Sequence, residues 1–104
     1  MQVAADFTFW RGSGESTSEH EGRVLNISSG GMEGMVHRSI DLFPMEVLRF
    51  RLALPRQTLG GDARVLRVFA AADMNRIAFS FEQMEDSERV LLVQAITSLA
   101  QARK

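Results

Sequence analysis

The feature that most limits the fold of this chain is the strict alternation of side chains across residues 47–54. Leucine or phenylalanine occupies every even position of this run, whereas Arg49 and Arg51 fall on the opposite side. Alternation with a period of two is typical of a β-strand that buries one face. The arginine side is then the solvated face, and the run predicts an antiparallel sheet packed on one side against a core.

Shorter runs rich in Val, Ile and Phe predict further strands on both sides of this one. Between them, the polar residues 11–21 predict an exposed loop, residues 38–46 predict an irregular connection, and Gly60 with Gly61 predicts a bend or bulge. The predicted strands are residues 3–10, 22–27, 32–37, 47–54, 63–70 and 76–81.

The apolar pattern changes to that of a helix near the carboxyl end. Asp86 is placed to cap this helix, and Glu88 lies in its first turn, where the helix dipole favours a negative charge. Arg103 and Lys104 lie at the other end, where cations are favoured. The residues predicted to share one broad apolar face are Val90, Leu91, Leu92, Val93, Ala95, Ile96, Leu99 and Ala100. We therefore predict a mainly β fold, a small six-stranded antiparallel β-barrel with one C-terminal α-helix, as a single domain over residues 1–104.

Composition excludes several classes of protein. A net charge of -1 lacks the basic excess of a dedicated nucleic-acid binder. No apolar run approaches the roughly 18 residues of a membrane span, so no membrane insertion is expected. The amino end does not resemble a signal peptide, and the absence of cysteine fits a reducing compartment. The expected location is the cytoplasm.

Few residues suggest catalysis or metal binding. His20 and His37 are far apart and lack the spacing of metal ligands. Glu82, Glu85 and Glu88 are better explained as helix-dipole partners on a solvated face than as a carboxylate site. We therefore predict no catalytic residue, no bound metal and no cofactor, and we expect that the protein is not an enzyme.

Residues 26–31 hold the most distinctive local pattern. Asn26 and Ser28 point to the same side of an extended chain, because side chains alternate along a strand. Gly30 and Gly31 follow them and leave the backbone bare enough for a ligand to touch. A carboxamide, a hydroxyl and bare backbone suit an anionic ligand that carries a nucleobase edge. Such residues also form ordinary turns between strands, so the pattern alone leaves both interpretations open.

This pattern resembles a signature of the PilZ domain, which reads Asp or Asn, any residue, Ser or Ala, two of any residue, then Gly. Asn26, Ser28 and Gly31 fill those places in register. The order of strands and the closing helix also resembles the family, over nearly the whole chain. The resemblance implies a split β-barrel that binds cyclic di-GMP. It implies that Asn26 faces a guanine, that Ser28 bonds phosphate or base, and that Gly30 and Gly31 let the backbone approach the ring.

The family's other signature, two arginines four residues apart ahead of the first strand, is missing from this sequence. Either the pair lies upstream of residue 1 in a longer protein, or the chain is a natural relative with half of a site. Arg11 could swing toward the ligand, whereas Arg23 faces away from Asn26 on a regular strand. Losing two charge-assisted contacts would remove about 3–6 kcal/mol, which is enough to abolish micromolar binding.

The resemblance implies a receptor that relays the level of cyclic di-GMP to a neighbouring domain or protein partner, such as flagellar motor or pilus machinery, and so controls motility or biofilm formation. The carboxyl end resembles flagellar-brake, YcgR-like PilZ domains. Ser28→Ala and Gly31→Val are then expected to weaken binding. The alternative is a PilZ-like interaction or assembly module that has lost nucleotide binding. A third candidate, a barrel that binds single-stranded RNA, is disfavoured by the lack of basic excess.

Overall fold

A computed structural model of the chain describes residues 2–11, 17–54 and 57–102. Within those residues the chain forms six strands and one helix, as the sequence predicted. The elements are β1 (Gln2–Arg11), β2 (Ser18–Ile27), β3 (Gly31–His37), β4 (Val47–Leu54), β5 (Gln57–Ala71), β6 (Met74–Gln83) and α1 (Asp86–Ala102).

The strands close into an antiparallel barrel in the order β1-β2-β3-β6-β5-β4. Consecutive strands pair with each other except β3 and β4, and the pairs β1–β4 and β3–β6 close the barrel. The β1–β2 register places Gln2 opposite Asn26, so the amino end of β1 lies beside the carboxyl end of β2. The predicted mainly β fold, a six-stranded antiparallel barrel with one C-terminal helix, is confirmed.

The core fills the barrel with one face of every strand. In β4 every second residue is buried, as the alternation predicted, and Arg49 and Arg51 face solvent. Phe7 is only 1% exposed, and its ring contacts the rings of Phe9 and Phe79 at centroid distances of 5.8 and 5.6 Å. Phe7 and Phe9 lie on β1 and Phe79 lies on β6, and these two strands do not pair with each other. The ring contacts therefore join the strands across the barrel interior.

Strand β2 begins earlier than the sequence predicted. Residues 18–21 belong to the strand instead of a loop, and Arg11 pairs with Ser18 as part of β1. The physical reason lies in cross-strand pairs, which stabilise even polar strands. The His20 ring, for example, stacks on Phe9 at 5.3 Å. Residues 12–16 of the predicted loop lie outside the described residues.

Strand β5 is also longer than predicted. It begins at Gln57 and pairs with β4 along its first half, so Gly60 and Gly61 lie within the strand and not ahead of it. The β4–β5 register runs unbroken through both glycines, so the bulge predicted at Gly60 and Gly61 is not there. The β5–β6 register shifts after them, between Asp62 and Ala63, and the extra residue lies on β6. A second shift lies between Val65 and Arg67.

The helix buries a narrower face than the sequence predicted. Leu92 is fully buried, and Ala95 and Ile96 pack partly against the core, but Val90 and Val93 are 55% and 46% exposed. Consecutive residues turn by about 100° each around a helix, so residues 90–93 cannot share one face. The side chains of Leu99 and Ala100, and both Arg103 and Lys104, lie outside the described residues. In the described part of the chain, no helix has the length and apolarity needed to cross a membrane.

The connection between β3 and β4 contains a turn that methionine rarely adopts. Met45 has a φ of 76° and follows Pro44, and the Glu46 N–H donates to the Phe43 carbonyl at 3.1 Å. Proline at the second position and a positive φ at the third define a type II β-turn, whose third position favours glycine. The methionine backbone is therefore strained at this exposed position.

Replacing Met45 with glycine is expected to raise the free energy of unfolding by about 0.5–1 kcal/mol. Glycine removes the strain of the left-handed conformation, although it also raises the conformational entropy of the unfolded chain. Urea denaturation followed by circular dichroism measures the change. Ala53→Gly, at an exposed position of β4, is the control and should lower the same free energy. An unchanged or lower stability for Met45→Gly would contradict the strain.

Candidate ligand-binding site

The residues of the sequence signature lie at the β2–β3 turn. Asn26 and Ser28 are both exposed, and Ile27 between them is buried at 1% exposure, so the predicted alternation holds here. The Ser28 N–H donates to the Gly31 carbonyl at 2.9 Å and closes the turn. The Ser28 hydroxyl donates to the same carbonyl at 3.3 Å, a long and exposed bond that a better acceptor can replace.

Three carbonyls of the turn accept hydrogen bonds, whereas two of its N–H groups have no partner among the described residues. The carbonyls of Ser29, Gly30 and Gly31 accept bonds from Arg89 Nη1, the Phe81 N–H and the Ser28 N–H respectively. By contrast, the N–H groups of Ser29 and Gly30 have no acceptor among the residues that the structure describes. An exposed turn in this state offers hydrogen-bond donors to an anion.

The two glycines of the signature have different surroundings. A Cβ built on Gly31 would lie 2.1 Å from the Phe79 carbonyl oxygen, so glycine is required there by the close approach of β6. A Cβ on Gly30 would meet nothing within 4 Å. The backbone that a ligand can approach is therefore at Gly30, whereas the need for glycine at position 31 has a structural cause.

A shallow hollow of about 360 Å³ lies beside this turn on the outside of the barrel. Leu66 lines one wall; it follows the buried Val65, so the alternation of the strand turns it outward, where it is 48% exposed. The hollow thus combines an apolar wall with the polar signature residues, as small-molecule sites do. Its lining residues are Asn26, Ile27, Ser28, Gly30, Gly31, Met32, Glu33, Leu66, Phe79 and Ser80.

The charges around the hollow do not by themselves attract an anion. Glu33 is the charged residue among its lining, and Arg76 lies 3.7 Å from the Glu33 carboxylate. Arg11, which the sequence offered as a substitute, forms two bonds to Glu46 at 2.8 and 3.2 Å. Arg23 lies 3.8 Å from Asp6, so its charge is also balanced.

Arg89 is the cation that the sequence did not single out. Its Nη1 lies 3.5 Å from the Ser29 carbonyl, so it reaches the signature turn from the first turns of α1. The two residues are 60 positions apart, and no sequence spacing connects them.

A larger groove of about 1250 Å³ lies between β4, β5 and the start of α1. It contains none of the signature residues, and six carboxylates line it beside three arginines. The carboxylates are those of Glu46, Asp62, Glu82, Glu85, Asp86 and Glu88. Such a lining repels a ligand with two negative charges, so the smaller hollow is the better candidate for an anionic ligand.

The other residues considered for chemistry have structural roles. Glu82 pairs with Arg64, and Glu88 accepts the Gly60 N–H at 3.2 Å. His20 is half-buried, with its ring against Phe9. Within the described part of the chain, no group of His, Asp and Glu is arranged to hold a metal ion.

Comparison with known proteins identifies the family. The model of the PilZ domain family matches residues 11–98 of this chain. No curated protein sequence matches it significantly. Solved structures with a similar fold include the following three, each at low sequence identity.

The Bacillus subtilis inhibitor of motility, MotI (DgrA), has a TM-score of 0.82 and 19% identity, covering 100% of this chain and 51% of that chain. YcgR from Escherichia coli in complex with cyclic di-GMP has a TM-score of 0.77 and 16% identity, with 99% and 46% covered. The PilZ domain of Escherichia coli YcgR with cyclic di-GMP has a TM-score of 0.74 and 14% identity, with 99% and 91% covered. The chain therefore spans about half the length of the first two proteins. With a family match over most of its length and a barrel like those of MotI and YcgR, the chain belongs to the PilZ domain family.

Proposed function

We propose that this chain is a non-enzymatic receptor domain for cyclic di-GMP in the cytoplasm, and that the ligand binds at the β2–β3 turn. The observation that carries the proposal is the state of that turn. The Gly30 and Gly31 carbonyls accept bonds from backbone N–H groups, and the N–H groups of Ser29 and Gly30 lack acceptors among the described residues. The similar YcgR structures, which contain cyclic di-GMP, support the choice of ligand.

Each signature residue has a role in this proposal. The Asn26 carboxamide oxygen accepts from a guanine N–H edge, and its NH₂ donates to a base acceptor. The Ser28 hydroxyl leaves its long bond to Gly31 and donates to a phosphate, which is a stronger acceptor. The open backbone at Gly30 lets the ligand approach the free N–H groups. Leu66 supplies an apolar wall for the face of a base.

The missing arginine pair has a defined place in this geometry. Because Gln2 pairs with Asn26, any segment joined to the amino end of β1 leaves the barrel beside the signature residues. Arginines on such a segment would face a ligand at the turn. Titrating cyclic di-GMP into this chain and into a version extended by natural upstream residues distinguishes a shortened receptor, which gains affinity, from a relative with half of a site.

Binding of the ligand would be relayed to a neighbouring domain or a protein partner. Ordering of a segment beside Asn26 changes the surface that the barrel presents to its neighbours. One of the structurally similar proteins, MotI, is an inhibitor of motility. That similarity favours motility control as the process, with flagellar motor or pilus machinery as the partner.

Calorimetric titration of cyclic di-GMP tests the proposed site. Asn26→Ala and Ser28→Ala are each expected to weaken binding by about two- to tenfold, because each removes a hydrogen bond of about 0.5–1.5 kcal/mol. Asn75→Ala and Ser98→Ala, at other positions of the fold, are the matched controls and should bind as the unaltered chain does. Equal affinities for all five proteins would show that the signature residues do not form the site.

The second candidate is an interaction or assembly module without nucleotide binding. One observation favours it: the lining of the hollow includes Glu33 and, among the described residues, no cation. An absence of measurable binding to the unaltered and extended chains, together with normal folding, would support this module and reject the receptor.

A further inference from the structure

The helix α1 holds Arg89 between the larger groove, which it lines, and the signature turn, whose Ser29 carbonyl it contacts. The Glu88 carboxylate accepts the Gly60 N–H at 3.2 Å, which ties the first turns of the helix to β5. Leu92, three residues after Arg89 and on the same side of the helix, is fully buried. These two anchors lie on either side of Arg89 along the helix, so its backbone position depends on the barrel and is not free.

Arg89 is one of four described arginines without a carboxylate partner, with Arg38, Arg51 and Arg67, and it differs from those three because it contacts the signature turn. Arg11, Arg23, Arg49, Arg64 and Arg76 each pair with a carboxylate. Arg89 has no carboxylate partner among the described residues, and its bond goes to the neutral Ser29 carbonyl at 3.5 Å. A contact of that length contributes little, so little is lost when the guanidinium exchanges it for a stronger acceptor.

We propose that Arg89 supplies a phosphate-binding cation to the signature turn from the carboxy-terminal helix. This inference rests on the proposed function, and it adds a residue that neither PilZ signature contains. When a cyclic dinucleotide occupies the hollow, the guanidinium turns from the Ser29 carbonyl to a phosphate oxygen. Bonds between arginine and phosphate are charge-assisted and can be bidentate, so the exchange favours the bound state. The ligand then contacts α1 directly, which links site occupancy to the position of the helix.

The test compares cyclic di-GMP binding by the 104-residue chain and three variants, using calorimetry at low and moderate salt. Arg89→Gln is expected to weaken binding by about tenfold or more, the loss of one charge-assisted bond. Arg89→Lys keeps the positive charge but lacks the planar guanidinium, so its affinity should lie between those of the unaltered chain and Arg89→Gln. Arg38→Gln is the matched control, since Arg38 is exposed just after β3, at the far end of that strand from the turn.

Two further readouts separate ligand binding from a purely structural role. Binding by the unaltered chain should weaken more steeply with salt than binding by Arg89→Gln, because the variant lacks the charge that salt screens. Thermal unfolding of Arg89→Gln should match that of Arg38→Gln.

Each outcome has a distinct meaning. If the unaltered chain binds and Ser28→Ala weakens binding, but Arg89→Gln binds within twofold of the unaltered chain, this inference is wrong and the proposed function stands. If Arg89→Gln weakens binding only together with a lowered unfolding temperature, the residue is structural and the inference is again wrong. If only the version extended by natural upstream residues binds cyclic di-GMP, the same comparison is made in that version. If neither version binds, the proposed function fails and the inference fails with it.

Discussion

Replacing Phe7 with alanine is expected to lower the free energy of unfolding by about 3–5 kcal/mol, the usual range for a fully buried phenylalanine. Phe7 is 1% exposed, and its ring contacts Phe9 and Phe79. The ring also covers the backbone of two glycines, since a Cβ built on Gly22 or Gly34 would lie 2.5 or 2.6 Å from it. Those glycines have no side chain to fill the space that Phe7 leaves, so a cavity remains at the barrel centre.

Urea denaturation of the unaltered chain and Phe7→Ala measures this loss. Phe43→Ala is the matched control, because Phe43 is 60% exposed and should cost less than about 1 kcal/mol. Similar losses for the two variants would mean that the ring of Phe7 is not central to the core.

The second large effect is expected at the signature turn itself. Gly31→Val should lower the free energy of unfolding by about 3 kcal/mol or more, at the upper end of overpacking effects. A Cβ at this position would lie 2.1 Å from the Phe79 carbonyl oxygen, so β3 and β6 would have to separate. A loss of ligand binding in this variant would therefore report the damaged barrel and not a lost ligand contact.

Gly30→Ala is the control, because it alters the same turn without disturbing the barrel. Its Cβ meets nothing within 4 Å, so the variant should unfold at nearly the same urea concentration as the unaltered chain. If Gly31→Val proves as stable as Gly30→Ala, β6 does not approach the turn as closely as the structure shows.

The sequence predicted the strands because β4 alternates with a period of two and the others are rich in strand-forming residues, and both signals depend only on neighbouring residues. It missed the start of β2 because residues 18–21 are polar. Their strand conformation depends on partners across the hairpin, such as Phe9 for His20. The prediction of one broad apolar helix face was wrong for a local reason, because Val90 and Val93 cannot face the core together with Leu92.

The candidate site could be predicted only in part. The register of Asn26, Ser28 and Gly31 is a local pattern, and the structure places all three at one turn beside a hollow. Position 31 requires glycine because the Phe79 carbonyl of β6 lies against it, and the cation that reaches the turn, Arg89, lies on α1. Neither contact leaves a signal in the sequence, because both join segments that are distant along the chain.

Binding of cyclic di-GMP at the β2–β3 turn can be observed residue by residue in an NMR titration of the isotopically labelled chain. The backbone amide signals of Ser29 and Gly30 are expected to move most on addition of the ligand, since their N–H groups gain acceptors. Signals of Asp62 and Glu82, in the larger groove, should stay in place. Amide shifts confined to that groove, or no shifts at saturating ligand, would show that the turn is not the binding site.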